Sequence, residues 1–400
     1  MLSENLKNIT VKQIDELKLE KLGIKRDLMK FISLNLSHVL ILSGVRRCGK
    51  STLLKQLIKT QKKFYFFNFE DPRAFSFEIT DFEKLDETFK EEFGNSDHYF
   101  FDEMQNVIGW ERIVRGLHDK KKKVILTGSN ASLLSRDLGT KLTGRHITFE
   151  LFPFSYKEWL VFRQKKAGVE SFKDYFNEGG FPEFLKQGRY EILQELFEDI
   201  ITRDIITKYG IRETKIIKEM AIYLLSNISK EISFNSLKRL FGLGSTNTAI
   251  TYVSYYEDSY LLFTVPKFDY SYKKQLVNPK KIYSIDIGLS KSVSASFTGD
   301  MGRILENIVF LALRNKYKEI FYFKEDNECD FVIRKMGKVS KAIQVCYELN
   351  ENNKEREING LKEAMDKLSI EEGIILTFNQ KDNINNILVK PVWEWLCEQK

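Results

Sequence analysis

The sequence predicts an α/β protein whose N-terminal part is a parallel sheet covered by helices on both faces. From Val39 to Leu151, short apolar segments of strand character alternate with amphipathic segments of helical character. Apolar runs bounded by polar helices are typical of strands buried on both faces of a parallel sheet. Functional groups of such a sheet are expected just beyond the carboxyl ends of its strands. The five predicted strands are residues 38–43, 63–69, 98–102, 123–127 and 146–151.

The composition indicates a soluble globular protein of several domains. With 400 residues, 42% hydrophobic and 30% charged, the chain has material for about two to four domains. It has no apolar run near the roughly 18 residues of a membrane helix, and its N-terminus lacks an apolar signal core. We therefore expect no membrane partner. Its four cysteines lack metal-ligand spacing, which favours a reduced, cytoplasmic protein. A net charge of +7 permits a nucleic-acid partner without requiring one.

The first functional motif follows the first predicted strand. Residues 38–52 read HVLILSGVRRCGKST and contain G-x-x-x-x-G-K-S between a strand and a helix, which is the Walker A pattern in its required context. Its glycines let backbone N–H groups face phosphates, while Lys50 reaches the β- and γ-phosphates and Ser51 ligates Mg²⁺. We therefore predict ATP and Mg²⁺ as cofactors, although side chains alone do not separate ATP from GTP. The predicted nucleotide-binding residues are Gly44, Val45, Arg46, Arg47, Cys48, Gly49, Lys50, Ser51 and Thr52.

Three residues of this loop have alternative interpretations. Cys48 is either an oxidation-sensitive thiol or a small filler residue, and the second role is favoured. Arg46 and Arg47 either add positive potential for the phosphates or face solvent or an acidic neighbour.

Two adjacent acids end the third predicted strand. Asp102 and Glu103 follow Tyr99-Phe100-Phe101, and Asp102 comes 51 positions after Ser51. At this distance from a Walker A loop, an apolar strand ending in two acids is a Walker B candidate. Asp102 is then predicted to support the metal, and Glu103 to orient or deprotonate the attacking water. The alternative is a solvated strand edge.

Polar groups near the next two strands complete the predicted catalytic set. The fourth strand ends in Thr127-Gly128-Ser129-Asn130, and Asn130, with Ser129 as second choice, is predicted to sense the γ-phosphate. Either residue could instead cap the helix that follows. Arg145 directly precedes the fifth strand. It is either an arginine that reaches the nucleotide of a neighbouring subunit in a homo-oligomer, or a partner in a surface salt bridge.

The rest of the chain divides into three further segments. Residues from Pro153 to about Arg212 are predicted to be helical, broken at Gly179-Gly180-Phe181-Pro182. Residues 233–262 predict a helix-turn-helix, followed by a β-hairpin near 260–284. From about Ser290, a helix over 303–317 and several strands predict a small α/β domain. The hairpin either contacts DNA or packs as a module, and its basic and aromatic residues are Lys267, Phe268, Tyr270, Tyr272, Lys273, Lys274, Lys280 and Lys281.

These motifs in this order resemble a known family. The chain is similar to prokaryotic AAA-type ATP-binding proteins with a C-terminal domain of unknown function, a domain that resembles the PD-(D/E)XK nuclease fold. The resemblance implies an ATPase core over 1–152, a helical lid over 153–212, a winged-helix-like segment over 213–289 and a nuclease-like domain over 290–400. The motifs that carry it are GVRRCGKSTLL (44–54), FFDEMQN (100–106), LTGSNASLL (126–134), LTGR (142–145), LFPFSYKEW (151–159), GGFPEFL (179–185), Arg203-Asp204, YSIDIGL (283–289), LENIVF (305–310), ECDFVI (328–333) and IQVCYEL (343–349).

The nuclease resemblance implies a metal site in the C-terminal domain. A nuclease of this fold uses acids on a helix and two adjacent strands, which here places Glu306, Asp330 and Gln344 as oxygen ligands for Mg²⁺. The residue two after Gln344, where the resemblance implies a lysine, is Cys346. This departure favours a degenerate domain that binds a partner or grips DNA rather than cutting it.

Two alternatives remain open at this site. Lys341 or Lys324 could replace the missing lysine from elsewhere in the domain. Glu306 and Asp330 could instead be structural, in a buried pair with Arg303 or Arg334.

Two functions of different classes fit these observations. The first is an ATP-hydrolysing protein that acts on or recognises nucleic acid through its C-terminal modules. The second is a regulatory or signalling ATPase whose nuclease-like tail binds a protein partner. A small-molecule kinase is disfavoured by the Asp102-Glu103 pair and by the modular character of the C-terminal residues.

Overall fold

The computed structural model describes residues 1–128, 144–294 and 300–399. The chain forms two compact units, Met1–Phe152 and Pro153–Lys400. Within the described ranges, no helix combines the length and apolar character needed to cross a membrane.

The first unit is built on a five-stranded parallel sheet in the order β2-β3-β4-β1-β5. All five predicted strands are confirmed. Four of them are largely buried in the sheet, and the fifth, at the edge, is partly exposed. The strands are β1 (Val39–Ser43), β2 (Tyr65–Asn68), β3 (His98–Asp102), β4 (Lys123–Gly128) and β5 (His146–Glu150). The helices are α1 (Ser3–Leu19), α2 (Lys50–Ile58), α3 (Phe82–Phe93) and α4 (Trp110–Asp119), with 3₁₀ turns at Asp27–Phe31, Pro72–Ala74, Ile79–Asp81 and Met104–Asn106.

The amino-terminal helix belongs to this unit. Leu6 and Ile9 of α1 are buried in the same apolar cluster as the strand residues Val39 and Ile41. At the end of β2, the Gln13 side chain accepts from the Asn68 N–H (2.9 Å) and donates to the Asn68 carbonyl (3.2 Å). The helix therefore satisfies the Asn68 backbone groups at the end of β2, which is an edge strand of the sheet.

The second unit begins with a run of helices. The capping box of Ser155 and Glu158 starts α5, and Pro182 supplies the fixed φ that opens α7. The glycine pair Gly179-Gly180 breaks the run where the sequence predicted it. The helices are α5 (Tyr156–Arg163), α6 (Val169–Glu178), α7 (Pro182–Gln187), α8 (Glu191–Asp199) and α9 (Thr214–Ser226), and a π-helical segment spans Ile200–Thr207 between α8 and α9.

Next comes an antiparallel three-stranded sheet in the order β6-β8-β7, with its helices. The predicted helix-turn-helix is present as α10 and α11. The predicted hairpin is correct in its two strands but not in its connection, which contains the short helix α12. The strands are β6 (Glu231–Ile232), β7 (Leu262–Pro266) and β8 (Lys280–Ser284), and the helices are α10 (Phe234–Leu240), α11 (Thr246–Asp258), α12 (Tyr272–Val277) and α13 (Ile287–Val293).

Two glycines pack against the start of α13. Asp286 caps this helix by accepting from the Leu289 N–H (2.9 Å), and its second oxygen accepts from the Gly180 N–H (2.6 Å). A Cβ on Gly179 would lie 2.4 Å from an Asp286 oxygen, and one on Gly180 would lie 2.3 Å from the Phe154 carbonyl oxygen. The segments that contain Phe154, Gly179-Gly180 and Asp286 are therefore closely packed against one another.

The C-terminal part is a separate mixed sheet in the order β13-β14-β12-β11-β10-β9. The antiparallel strands β9, β10 and β11 lead into parallel β12 and β14, and β13 pairs antiparallel to β14. This confirms the predicted α/β character. The elements are α14 (Met301–Arg314), β9 (Glu319–Lys324), β10 (Glu328–Lys335), β11 (Lys338–Cys346), α15 (Lys354–Leu368), β12 (Glu372–Thr377), β13 (Asp382–Ile384), β14 (Ile387–Pro391) and α16 (Val392–Glu398).

Candidate functional site

The loop between β1 and α2 has the backbone shape of a phosphate loop. Gly44 has φ +153°, and a Cβ there would lie 2.1 Å from the Leu151 carbonyl oxygen, so only glycine fits. Gly49 has φ +101°, and α2 begins at the next residue, Lys50. The turn thus directs the free N–H groups at the start of α2 toward the loop, which is the arrangement that binds phosphate.

Lys50 lies folded over this loop. Its ammonium donates to the carbonyl oxygens of Gly44 (3.0 Å) and Val45 (2.9 Å), and the side chain is buried. The positive charge is therefore already at the loop, where a phosphate could replace the carbonyl contacts. Among the other predicted loop residues, Val45 is buried, Arg46, Ser51 and Thr52 are half-buried, and Arg47 is exposed with φ +61°.

A buried arginine that the sequence analysis did not single out supports the loop from behind. Arg26 donates to the carbonyl oxygens of Cys48 (2.8 Å) and Phe152 (2.7 Å), and only 4% of the residue is exposed. The Gln56 side chain accepts from the Arg26 N–H (3.3 Å) and donates to the carbonyls of Leu22 and Ile24. Since Arg26 lies outside the motif, its role has no local sequence signal.

Cys48 is a packed side chain. It is buried, and its thiol donates to the Leu151 carbonyl oxygen (3.4 Å). Burial raises the pKa of this thiol, which keeps it in the unreactive protonated form. These observations favour the filler role over the oxidation-sensitive one.

The predicted metal ligands meet beside the loop. The Ser51 hydroxyl donates to Asp102 Oδ1 (3.0 Å), and the Thr127 hydroxyl donates to the same oxygen (2.6 Å). Burial raises the pKa of Asp102 to about 6, against the lowering effect of the Thr127 hydrogen bond. A hydroxyl and a carboxylate at this distance are the hard oxygen donors that Mg²⁺ prefers, so these residues fit the ion.

Glu103 follows in an unusual backbone conformation. Its φ is +50°, in the left-handed region that non-glycine residues seldom adopt. Its N–H donates to the Thr127 hydroxyl (2.9 Å), so Thr127 fixes both acids, and the Gln105 amide donates to the Glu103 carboxylate. The Gln105 amide oxygen is buried and has no hydrogen-bond partner among the residues described. Thr127 was missed in the sequence because it reads as an ordinary strand residue.

Three further predicted residues have different outcomes. Asn130 and Ser129 lie outside the described residues, but β4, which precedes them, runs between β1 and β3. Arg145 lies at the amino end of β5, where its carbonyl accepts from the Val39 N–H (2.9 Å) and its side chain pairs with Asp119 (2.8 Å). The salt-bridge interpretation thus has an observed partner, and the role in a neighbouring subunit stays a prediction.

The C-terminal acids surround a lysine from another element. The Lys281 ammonium of β8 lies 3.0 Å from Glu306 on α14, and 2.7 Å and 2.8 Å from Glu328 and Asp330 on β10. Burial opposes the charge of Lys281, but Asp330 and Glu306 outweigh it and hold its pKa well above the ordinary value. Burial and the charge of Asp330 raise the pKa of Glu306, whose carboxylate also accepts from the Tyr283 hydroxyl (2.6 Å).

The expected ligand Gln344 is engaged elsewhere. Its amide oxygen accepts from the Asp330 N–H (3.2 Å), and its amide nitrogen donates to Glu357 (2.6 Å). Gln344 therefore holds the backbone of Asp330 in this structure, and its role as a metal ligand stays a prediction. Among the residues described, no group of three or more His, Cys, Asp or Glu side chains is arranged to hold a metal ion.

The two lysines that could replace the missing one have partners of their own. Lys341 pairs with Glu372, and Lys324 pairs with Glu231 and Glu328, at the margin of the cluster. Arg303 pairs with Asp300 and Arg334 with Glu319, so neither is the partner of Glu306 or Asp330. Lys281 is that partner, and the sequence had placed it among residues that could touch DNA.

The basic and aromatic residues of the predicted hairpin differ in how exposed they are. Phe268 is buried against the C-terminal sheet, and Lys281 is buried in the cluster, so neither is available to DNA. Lys280 is half-buried and donates to the Gln275 carbonyl (2.9 Å). The exposed residues are Tyr270, Tyr272, Lys273 and Lys274.

Three family matches span most of the chain. Residues 36–160 match a family described as AAA domain. Residues 169–298 and 301–395 match two domains of unknown function, DUF8612 and DUF4143.

Curated relatives and solved structures were also found. An uncharacterized protein of Haemophilus influenzae is 28% identical over 90% of this chain and 94% of its own length. The Walker-type ATPase of Pyrococcus abyssi has TM-score 0.41 at 14% identity, covering 66% of this chain and 93% of that one. The replication initiator DnaA bound to AMPPCP and single-stranded DNA has TM-score 0.29 at 16% identity, covering 63% and 91%.

One relative is close enough to define a family. An uncharacterized protein of Methanocaldococcus jannaschii is 34% identical over 96% of this chain and 93% of its own length. Together with the AAA-domain match and the phosphate loop at the end of β1, this similarity establishes the relationship. The chain belongs to the family of that archaeal protein, whose shared N-terminal part is a P-loop AAA domain.

Proposed function

We propose that this protein binds and hydrolyses ATP with Mg²⁺. The observation that carries the proposal is the meeting of Ser51, Asp102 and Thr127 within hydrogen-bond distance beside the loop that holds Lys50. Phosphoryl transfer needs positioning and charge stabilisation more than covalent chemistry, and this arrangement supplies both. Mg²⁺, held by Ser51 and Asp102, would neutralise charge on the phosphates when bound.

Each side chain has a defined task in this proposal. Loop N–H groups and Lys50 hold the β- and γ-phosphates, which orients the terminal phosphoryl group. Glu103, fixed by the Thr127 hydroxyl, orients the attacking water and accepts its proton. Asn130, which follows β4 in the sequence, is proposed to contact the γ-phosphate. The water oxygen then bonds to the γ-phosphorus as the bond to the β,γ-bridging oxygen breaks, leaving ADP and phosphate.

Arg145 is proposed to act on the nucleotide of a neighbouring subunit in a homo-oligomer. Arg145→Ala should retain ATP binding and lose turnover by about 100-fold or more, because such an arginine stabilises the charge of the transferred phosphoryl group. Mixing Arg145→Ala with Lys50→Ala protein should restore part of the turnover, since each variant supplies what the other lacks. Steady-state phosphate release measures both effects.

The matched control is Asp119→Ala, which removes the observed partner of Arg145. It should leave turnover close to that of the wild type. Equal losses in both variants, without recovery on mixing, would show that Arg145 serves only the ion pair.

The nucleic-acid part of the proposal is supported by α10, α11 and the three-stranded sheet, an arrangement of winged-helix type. Asn247, Ile250 and Thr251 are exposed on α11, which offers polar and apolar groups to base edges. Arg239 on α10 and Lys273 in the connection are exposed for phosphate contact. We therefore propose DNA as a partner of this segment.

ATP turnover with and without single- and double-stranded DNA tests both parts. The wild type should hydrolyse ATP, DNA should stimulate it, and Lys50→Ala should lose turnover because its charge at the loop is removed. Basal turnover with neither DNA stimulation nor DNA retention at low salt would refute the nucleic-acid role. Absence of ATP binding in the wild type would refute the ATPase.

The contact of Lys281 with Glu306, Glu328 and Asp330 favours a second function. A tail without metal-dependent cutting suits a regulatory or signalling ATPase, in which nucleotide state controls binding of a protein partner. A nucleotide-dependent change in oligomer size, together with no affinity for DNA, would favour it. With either function we propose a cytoplasmic location. We also propose that the chain is divided into an ATPase core, a helical lid, a winged-helix segment and a nuclease-like tail.

A further inference from the structure

We infer that Lys281 is the resident cation of the C-terminal carboxylate cluster, defined as Glu306, Glu328 and Asp330, and that it excludes a divalent metal ion there. The residues present do not fit the metal that the nuclease-like fold implies. The cluster is instead a structural centre that ties β8 of the three-stranded sheet to the C-terminal domain. This inference is independent of ATP hydrolysis.

Lys281 contacts all three carboxylates of the cluster. Its ammonium donates to Glu306 (3.0 Å) and Asp330 (2.8 Å) and forms an ion pair with Glu328 (2.7 Å). Mg²⁺ would need the same oxygens at about 2.0–2.1 Å, so it would overlap the nitrogen. The ammonium and a divalent ion are therefore mutually exclusive in this cluster.

The surroundings hold Lys281 in place. Its side chain is 3% exposed, and its Nζ lies 5.8 Å from the centre of the Tyr322 ring. The strand β8 pairs with β6 on one edge and with β7 on the other. Just after β7, the Phe268 N–H donates to the Tyr322 carbonyl of β9 (2.7 Å). Pairing on both edges of the strand fixes the backbone of Lys281, so only rotation of the side chain could take its ammonium away from the carboxylates.

The acids are held equally firmly. Asp330 Oδ2 accepts from the Val345 N–H (2.9 Å), which leaves Oδ1 directed at Lys281. Gly360 of α15 packs so closely on Glu328 that a Cβ would lie 2.1 Å from the Glu328 carbonyl oxygen. The cluster thus joins three fixed elements, β8, α14 and β10, through one shared cation.

The test measures thermal unfolding of nucleotide-free protein with and without Mn²⁺. Lys281→Met should melt several degrees below the wild type, because it leaves buried carboxylates unpaired, and millimolar Mn²⁺ should restore most of that loss. Adding Glu306→Gln to Lys281→Met should abolish the Mn²⁺ response. Lys341→Met, which removes a half-exposed lysine of β11, should melt like the wild type and show no new Mn²⁺ response.

The wild type decides the outcome independently of those variants. If Mn²⁺ raises its melting temperature, and Glu306→Gln in the wild-type background removes that rise, the metal displaces Lys281 and the inference is overturned. Should Lys281→Met fail to fold, the variant that also carries Glu306→Gln and Asp330→Asn removes the unpaired charges. Folding of that triple variant supports the inference, and its failure to fold contradicts it.

Discussion

Glu103→Gln is expected to bind ATP with wild-type affinity and to lose turnover by about 100-fold or more. The amide preserves the shape of the side chain but cannot accept a proton from the attacking water. The backbone contact from the Glu103 N–H to Thr127 is unaffected by the change. Equilibrium binding of a fluorescent ATP analogue and steady-state phosphate release measure the two quantities separately.

Two control variants sharpen this test. Glu83→Gln alters an exposed acid of α3 in the same unit and should leave turnover unchanged. Glu103→Gly relieves the left-handed φ of +50°, so it should lose turnover without loss of thermal stability. Retained hydrolysis in Glu103→Gln would remove this residue from the proposed mechanism.

Gly180→Ala is expected to lower the free energy of unfolding of the second unit by about 2–3 kcal/mol. A Cβ at this position would lie 2.3 Å from the Phe154 carbonyl oxygen and 2.9 Å from the Phe154 nitrogen, both backbone atoms. Relief requires moving Gly180 away from Phe154, which strains the hydrogen bond to Asp286. Urea denaturation followed by circular dichroism measures the change.

Gly244→Ala is the matched control. No atom lies within 4 Å of a Cβ built on Gly244, whose φ, like that of Gly180, is outside the left-handed region. Its effect should stay below about 1 kcal/mol. Equal effects of the two substitutions would mean that the close contact with Phe154 is readily relaxed.

The N-terminal sheet could be predicted because its information is local. Most of its strands are short apolar runs, and the phosphate loop is a contiguous motif with a fixed spacing. The connection between β7 and β8 was harder, because Tyr272–Val277 is a short helix whose apolar residues Leu276 and Val277 are exposed. Its buried residue is the polar Gln275, so the helix has no apolar periodicity to detect.

Site residues could likewise be predicted where a local motif marks them, and not where their partners are distant in the sequence. Lys50, Ser51 and Asp102 are identified by spacing, and the structure brings Ser51 and Asp102 together. Lys281 was misassigned because its partners lie 25 to 49 residues away and on other elements. A lysine in a basic, aromatic segment suggests nucleic acid, and only the tertiary fold shows that it points inward.

Arg26 links the amino-terminal segment to the phosphate loop. The AAA-domain match starts at residue 36, yet the carbonyl of Cys48 is held by a guanidinium ten positions upstream of that start. The loop is therefore preorganised by a side chain from outside the matched region. A substitution at Arg26 would alter the support of the loop while every letter of the Walker sequence stays the same.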